Sequence, residues 1–249
     1  MEFGRALRLG ICAAAIMFVI VSSALAQTNA PEPVGDLAFG RSIALIRGHL
    51  LAGEELVKLH EWNIAYQHFD FPREEIYGVI REDLHNYNTP PFDFALKALA
   101  RAVRSHSTKQ YSKARERVDA ALAAADAGLK ARQPNWPKFT MAVAMEVLKA
   151  AADEYDDAVA NGRIIHSVGY RTARGFILQA DRMIESATAE LPAGNSAALA
   201  DIRSEMAQIK AFLPTPQPPE RLIVDEKALE QSVARIELSF ERMAAGRQI

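Results

Sequence analysis

The sequence predicts an all-α protein: an antiparallel bundle of about seven to nine helices behind an N-terminal signal peptide. Three observations predict it. Apolar residues recur at steps of three and four along most of the chain, the period of a helix with one buried face. No run of period-two alternation marks a strand. The breaks between periodic segments are short, so successive helices should fold back on one another as hairpins.

In chain order, residues 1–26 read as a signal peptide. Arg5 and Arg8 precede an uncharged run from Leu9 to Ala26, and the small residues Ala24 and Ala26 suit cleavage before Gln27. The expected location is therefore periplasmic or secreted, with no stable membrane insertion after cleavage. Residues 27–35 are expected to be a disordered, proline-containing leader. A bundle over 36–212 opens with Asp36 as N-cap, followed by Phe39, Ile43, Ile46 and Leu50 on one face. A break at His60-Glu61 separates it from a helix over 62–69. Asp70-Phe71-Pro72 reads as a stop and restart, with Pro72 at a first helical position and Glu74 and Glu75 complementing the helix dipole. That third helix runs to about His85. Further helices are expected over 92–105, 111–131, 139–160, 170–191 and 196–212, with Asn161-Gly162 as a C-cap pair. Pro214, Pro216, Pro218 and Pro219 make 213–224 a stiff linker. Residues 225–246 form a C-terminal helix packing on the bundle, capped by Asp225.

Composition removes several function classes. The only cysteine, Cys12, lies in the signal peptide, so the mature chain has no thiol for a disulfide, an Fe–S cluster or a cysteine nucleophile. Removing Glu2, Arg5 and Arg8 leaves 27 basic and 30 acidic side chains, which is no footprint for nucleic acid. The chain has no Gly-x-Ser-x-Gly elbow, phosphate-cradling glycine loop or His-Glu-x-x-His pair. No catalytic residues are assigned, and an enzyme is not expected.

Histidine is the commonest metal ligand, and it directs attention to residues 49–77. His68, Glu74 and Glu75 flank Pro72, and His49 on the preceding helix could meet them at the mouth of a hairpin. These four are the candidate metal ligands, and a divalent ion such as iron or copper is the cofactor they would take. The competing reading of His49, set among Leu45, Leu50 and Leu56, is a packed core histidine. Glu82 and His85 share a helix face but supply only half of a di-iron set. Asp153, Glu154, Asp156 and Asp157 form an acidic patch, read as a solvated face or a weak cation site. The alternative function is a protein–protein interaction module without metal, which requires Trp62, Tyr66 and Tyr77 exposed in a concave stripe.

Two resemblances add to this reading. Ala52-Gly53-x-x-Leu56, then Ala65 and Phe69, resemble a single tetratricopeptide hairpin at 49–77, in which small residues let two helices approach closely. The stretch from Gly48 to Tyr77, with Glu154-Tyr155, Ala158-Val159, Gly162, Tyr170 and Phe176, resembles the periplasmic helical region associated with some bacterial high-affinity iron permeases. The chain lacks that family's membrane helices. The resemblance implies an accessory or metal-binding role in iron uptake, with a metal-uptake membrane protein or another periplasmic protein as partner. The Gly-x-His-x-x-Glu motif of imelysin-type proteins is absent, since Glu54 follows Gly48-His49 two residues late.

Overall fold

Asp36 anchors the first helix through its carboxylate. In the computed structural model, which describes residues 35–190, 196–225 and 227–245, α1 (Asp36–Lys58) opens at Gly35 without a side-chain cap. Asp36 Oδ1 accepts hydrogen bonds from the Tyr87 hydroxyl at 3.0 Å and Arg132 Nε at 2.9 Å, and Oδ2 accepts from Gln133 Nε2 at 2.6 Å. The residue expected to cap one helix instead ties three segments together. Phe39, one turn on, stacks against the Tyr87 ring with centroids 3.7 Å apart.

A tight reversal, with His60 at φ 63°, leads into α2 (Trp62–Phe71). The expected stop at Pro72 does not occur. Helical dihedrals continue through Phe71 and Pro72 into a π-helical turn, Pro72–Tyr77, then α3 (Gly78–Ile80) and a 3-10 stretch, Arg81–Tyr87. Proline lacks an N–H, and its ring crowds the carbonyl four residues back. A widened turn accommodates both effects without ending the helix.

Next come α4 (Asp93–Arg104) and α5 (Thr108–Arg132), the latter capped by Ser107, whose Oγ accepts from the Gln110 N–H. In the same way α6 (Trp136–Ala158) is capped by Asn135, whose Oδ1 accepts from the Lys138 N–H at 3.0 Å. Between α6 and α7 (Ser167–Ala189), β1 (Val159–Ala160) pairs antiparallel with β2 (Arg163–Ile164). Asn161 and Gly162 make the turn, both at positive φ (53° and 71°). The Asn-Gly pair expected to terminate a helix thus makes a two-residue hairpin, the turn that favours this dipeptide. The fold closes with α8 (Ser196–Phe212) and α9 (Ala228–Ala245), Asp225 Oδ1 accepting from the Lys227 N–H just before α9.

Two hydrophobic clusters make up the core. One is built on α1 to α5 around Phe39, Leu50, Phe69, Leu96 and Val118. The other gathers α6 to α9, with Leu229, Val233, Ile236 and Met243 of α9 beside Ile202, Met206 and Ile209 of α8. The apolar core therefore divides between α5 and α6 and not at residue 212. The proline-rich segment is strapped to α7. The Tyr170 hydroxyl donates to the Thr215 carbonyl at 3.1 Å, Arg171 Nε donates to the Pro216 carbonyl at 3.0 Å, and Arg174 donates to the Leu213 carbonyl. The signal peptide and almost all of the leader, residues 1–34, lie outside the described residues, as does residue 246.

α1 serves both clusters, because Ala44 and Leu45 face the second while Ile43, Ile46 and Leu50 face the first. Its close approach to α7 depends on glycine. A Cβ on Gly175 would stand 2.2 Å from the Gly48 carbonyl oxygen, a backbone atom that cannot rotate away. Overpacking of this kind costs about 1–3 kcal/mol, so Gly175→Ala should lower the unfolding free energy by roughly that amount. Gly78 meets open space, and Gly78→Ala should be neutral or stabilising by up to about 1 kcal/mol. Urea unfolding followed by circular dichroism reads both, and equal stability of the Gly175 variant and the parent chain would contradict the close approach.

Candidate functional site: a buried histidine pair beside an acidic cavity

His49 lies on the fourth turn of α1 and His68 near the end of α2, so the hairpin that packs Gly53 against Phe69 also brings the two imidazoles together. Their ring centroids are 6.1 Å apart. His68 is fully buried and His49 is 8 % exposed. Phe176 of α7 meets His49 edge-on at 5.1 Å, and Phe71 stacks over it at 6.1 Å. Neither nitrogen of His68 has a hydrogen-bond partner, and neither does His49 Nδ1. Burial pushes the pKa of His49 down to about 4. Burial, followed by repulsion from His49 and Arg171, pushes that of His68 down to about 3. Both imidazoles are therefore neutral at physiological pH, the protonation state that leaves a nitrogen lone pair free.

The four expected ligands do not assemble into one set. Glu75 lines a cavity with His49, but Glu74 pairs with Arg73 and lines a separate depression beside Tyr66 and Asp70. The cause is the π-helical turn. The chain passes Pro72 without the expected restart, which places Glu74 on another face of the hairpin. Among the described residues, no group of three or more histidine, aspartate or glutamate side chains stands close enough to hold a metal ion directly. His85 faces away and engages its own helix through the Glu82 carbonyl.

The interaction stripe also changes character. Trp62 is packed between His106 and Tyr111, and Tyr77 is buried against Phe92, with its hydroxyl accepting from the Phe92 N–H at 3.3 Å. Only Tyr66 stays partly open, beneath the Arg104 guanidinium at 4.1 Å from its ring centroid. The aromatic residues assigned to an exposed groove fill the space between helices, because their large apolar area is worth most when removed from water.

The cavity on His49 has a volume of about 400 Å³, and α1, the π-helical turn, α6 and α7 all contribute to its wall. Glu75, Asp153, Glu154 and Asp157 line it, with Arg41 as a cationic member. None of these four carboxylates makes an ion pair with a described residue. Burial, reinforced by the neighbouring Asp157 and Asp153, raises the Glu154 pKa above the ordinary carboxylate value. Sequence reading noted both the histidine hairpin and the acidic patch but had no means of joining them across about a hundred residues. Phe176, on which the His49 ring rests, was among the aromatic positions of the iron-permease resemblance.

The second helical cluster is the part of the chain with a family match. Residues 130–245 match the iron permease-associated 4-helix bundle domain. The match begins at the end of α5 and covers α6 to α9, the elements that share the second core, and amounts to just under half of the chain. The histidine hairpin lies outside this iron permease-associated bundle, while the acidic wall of the cavity lies inside it. No curated protein and no solved structure matches the chain. Among the described residues, no helix is long and apolar enough to cross a membrane.

The histidine pair makes the fold acid-sensitive. Each histidine has a folded pKa below its unfolded value near 6.5, so acid protonates the unfolded chain first. Stability should be full above about pH 7 and fall as the pH drops from 6.5 toward 4, by up to about 1.4 kcal/mol per pH unit for each histidine. Urea unfolding between pH 7 and 4.5 measures the slope, and His68→Leu should remove about half of it. An unchanged slope in that variant would show that His68 is not held neutral by burial.

Proposed function

We propose that this protein is an exported, non-catalytic accessory of an iron-uptake permease, and that iron in transit is its cargo. The observation that carries the reading is the match of α6 to α9 to a domain associated with iron permeases. The three-part pattern of residues 1–26 supports export, which would place the mature chain on the outer side of the membrane in which such a permease sits.

The contact for the cation in this reading is the cavity that joins His49 to Glu75, Asp153, Glu154 and Asp157. Its carboxylates have no described cationic partner except Arg41 on the same wall, so the site presents uncompensated negative charge to solvent. Hard cations favour oxygen ligands, and a neutral imidazole adds the nitrogen donor that iron accepts. The side chains do not stand within direct ligation distance of one point. The cation would therefore be met with part of its water shell in place, an arrangement suited to passing a metal on.

Two measurements test the proposal. Deleting the coding sequence should reduce uptake of radiolabelled iron by cells under iron limitation. The full-length chain should restore uptake, and a chain lacking residues 1–26 should not. Uptake unaffected by the deletion would refute the accessory role. Anaerobic titration of residues 27–249 with Fe(II) should show saturable binding that Glu154→Gln combined with Asp157→Asn weakens about tenfold or more, the loss expected when two charged ligands are neutralised. Equal binding by that variant would remove the cavity as the point of contact.

A further inference from the structure

A second cavity, separate from the one at His49, lies where α1, α5, α6 and α7 meet. Its volume is about 310 Å³. At roughly 30 Å³ for each water displaced, that is space for about ten waters or a ligand of similar heavy-atom count. One buried polar group in its wall lacks a partner. Thr140 is 7 % exposed, and its hydroxyl makes no hydrogen bond. Gln179 is 6 % exposed and lines the cavity as well. Arg182 lines the cavity from its solvent-exposed side and makes no ion pair with a described residue. Buried polar groups in folded proteins are almost always satisfied, so the unpartnered Thr140 hydroxyl on this cavity points to something that fills it.

The chemistry of the wall narrows what that is. Arg47 also faces the cavity, but Asp126 neutralises it through two bonds of 2.9 and 2.7 Å. Arg182 is then the uncompensated charge, which fits a ligand carrying one negative charge. The Gln179 amide and the Thr140 hydroxyl can each donate, which suits oxygen acceptors set beside that charge. Trp136 and Phe139 line the same space with rings stacked at 5.7 Å and 27° between planes, an apolar face for a flat body. A Cβ on Gly40 would come within 3.2 Å of the Phe139 ring, so the glycine keeps that side of the space clear.

We propose that this cavity binds a small, flat organic monocarboxylate, with Arg182 on the carboxylate, Gln179 and Thr140 on its oxygens, and Trp136 with Phe139 against the planar body. The site shares no residue with the cavity at His49 and does not depend on the iron reading.

The test is calorimetric titration of residues 27–249 with benzoate and 1-naphthoate, with acetate (charge without the planar body) and benzyl alcohol (ring without charge) as comparisons. Binding of at least one aromatic carboxylate should be saturable at one site and change Trp136 fluorescence, with both comparisons about tenfold weaker or more. Arg182→Gln should weaken it about tenfold, and Thr140→Val and Gln179→Leu several-fold each. Thr140→Val carries a second readout. It removes an unpartnered hydroxyl, so the free protein should be as stable as the parent or more stable while binding falls. A merely structural threonine would lose stability and leave binding alone. The proposal is overturned if neither aromatic carboxylate binds below about 10 mM, a limit near −2.7 kcal/mol. Binding indifferent to Arg182→Gln and Thr140→Val overturns it equally.

Discussion

The fold depends on how closely α1 can lie against α7. Gly48 and Gly175 face each other with no side chain between their backbones, and Ala52 fits the next turn. Close packing of this kind forfeits side-chain area at the contact but brings everything on either side into register. Arg174, one residue before Gly175, reaches Glu55 of α1 through bonds of 2.8 and 2.7 Å and also donates to the Leu213 carbonyl. This pair is mostly shielded from water, so its main effect is to fix the position of one helix along the other; its strength counts for less. The histidine hairpin, the strapped proline segment and both cavities all refer back to this line of contact.

The buried histidines carry a cost that an apolar side chain would not. Leaving three imidazole nitrogens without partners in an apolar pocket is unfavourable, because each loses hydrogen bonds to water and gains none. Phenylalanine or leucine at position 68 would fill the space with no such penalty. The neutral, unpartnered state keeps His49 as a potential nitrogen donor at the edge of the acidic cavity. His68 crowds His49 from behind, and their mutual repulsion makes protonation of either less favourable. For His49 the cause of the lowered pKa is desolvation by burial.

Much of the architecture was legible in the residues. Helical periodicity gave the helix-dominated fold, and Gly53, Ala65 and Phe69 gave the close hairpin, because both depend on local spacing. The errors have local causes too. Asp70-Phe71-Pro72 reads as a stop and restart because proline usually opens a helix and rarely continues one, but a π-helical turn absorbs it. Asn161-Gly162 was taken as a helix end, although the same pair serves a two-residue hairpin. Asp36 was read as a cap because sequence cannot show that Arg132 and Gln133 arrive from the far end of α5. The candidate site was half legible. His49 and Glu75 were singled out, while their acidic neighbours on α6 were assigned to a solvated face, since pairing over that separation is decided by tertiary packing.

Where the matched domain ends relative to the cavities has a consequence for specificity. Each cavity is built jointly. α6 and α7 of the iron permease-associated bundle supply Glu154 and Asp157 to one, and Thr140 and Gln179 to the other. α1, which precedes the matched region, supplies His49 to the first and Arg47 with Gly40 to the second. A four-helix bundle alone would leave both spaces open to solvent along the face that α1 covers. Its acidic and amide groups would then be hydrated and exert little selective force on a ligand. Beside α1, Thr140 and Gln179 are buried and Glu154 is half-buried, and for these groups charge and hydrogen-bond geometry discriminate more strongly. The N-terminal helices thus complete both cavities, α1 adding His49 to the acidic wall of one and Arg47 with Gly40 to the other, while most of the polar groups in both come from the matched region.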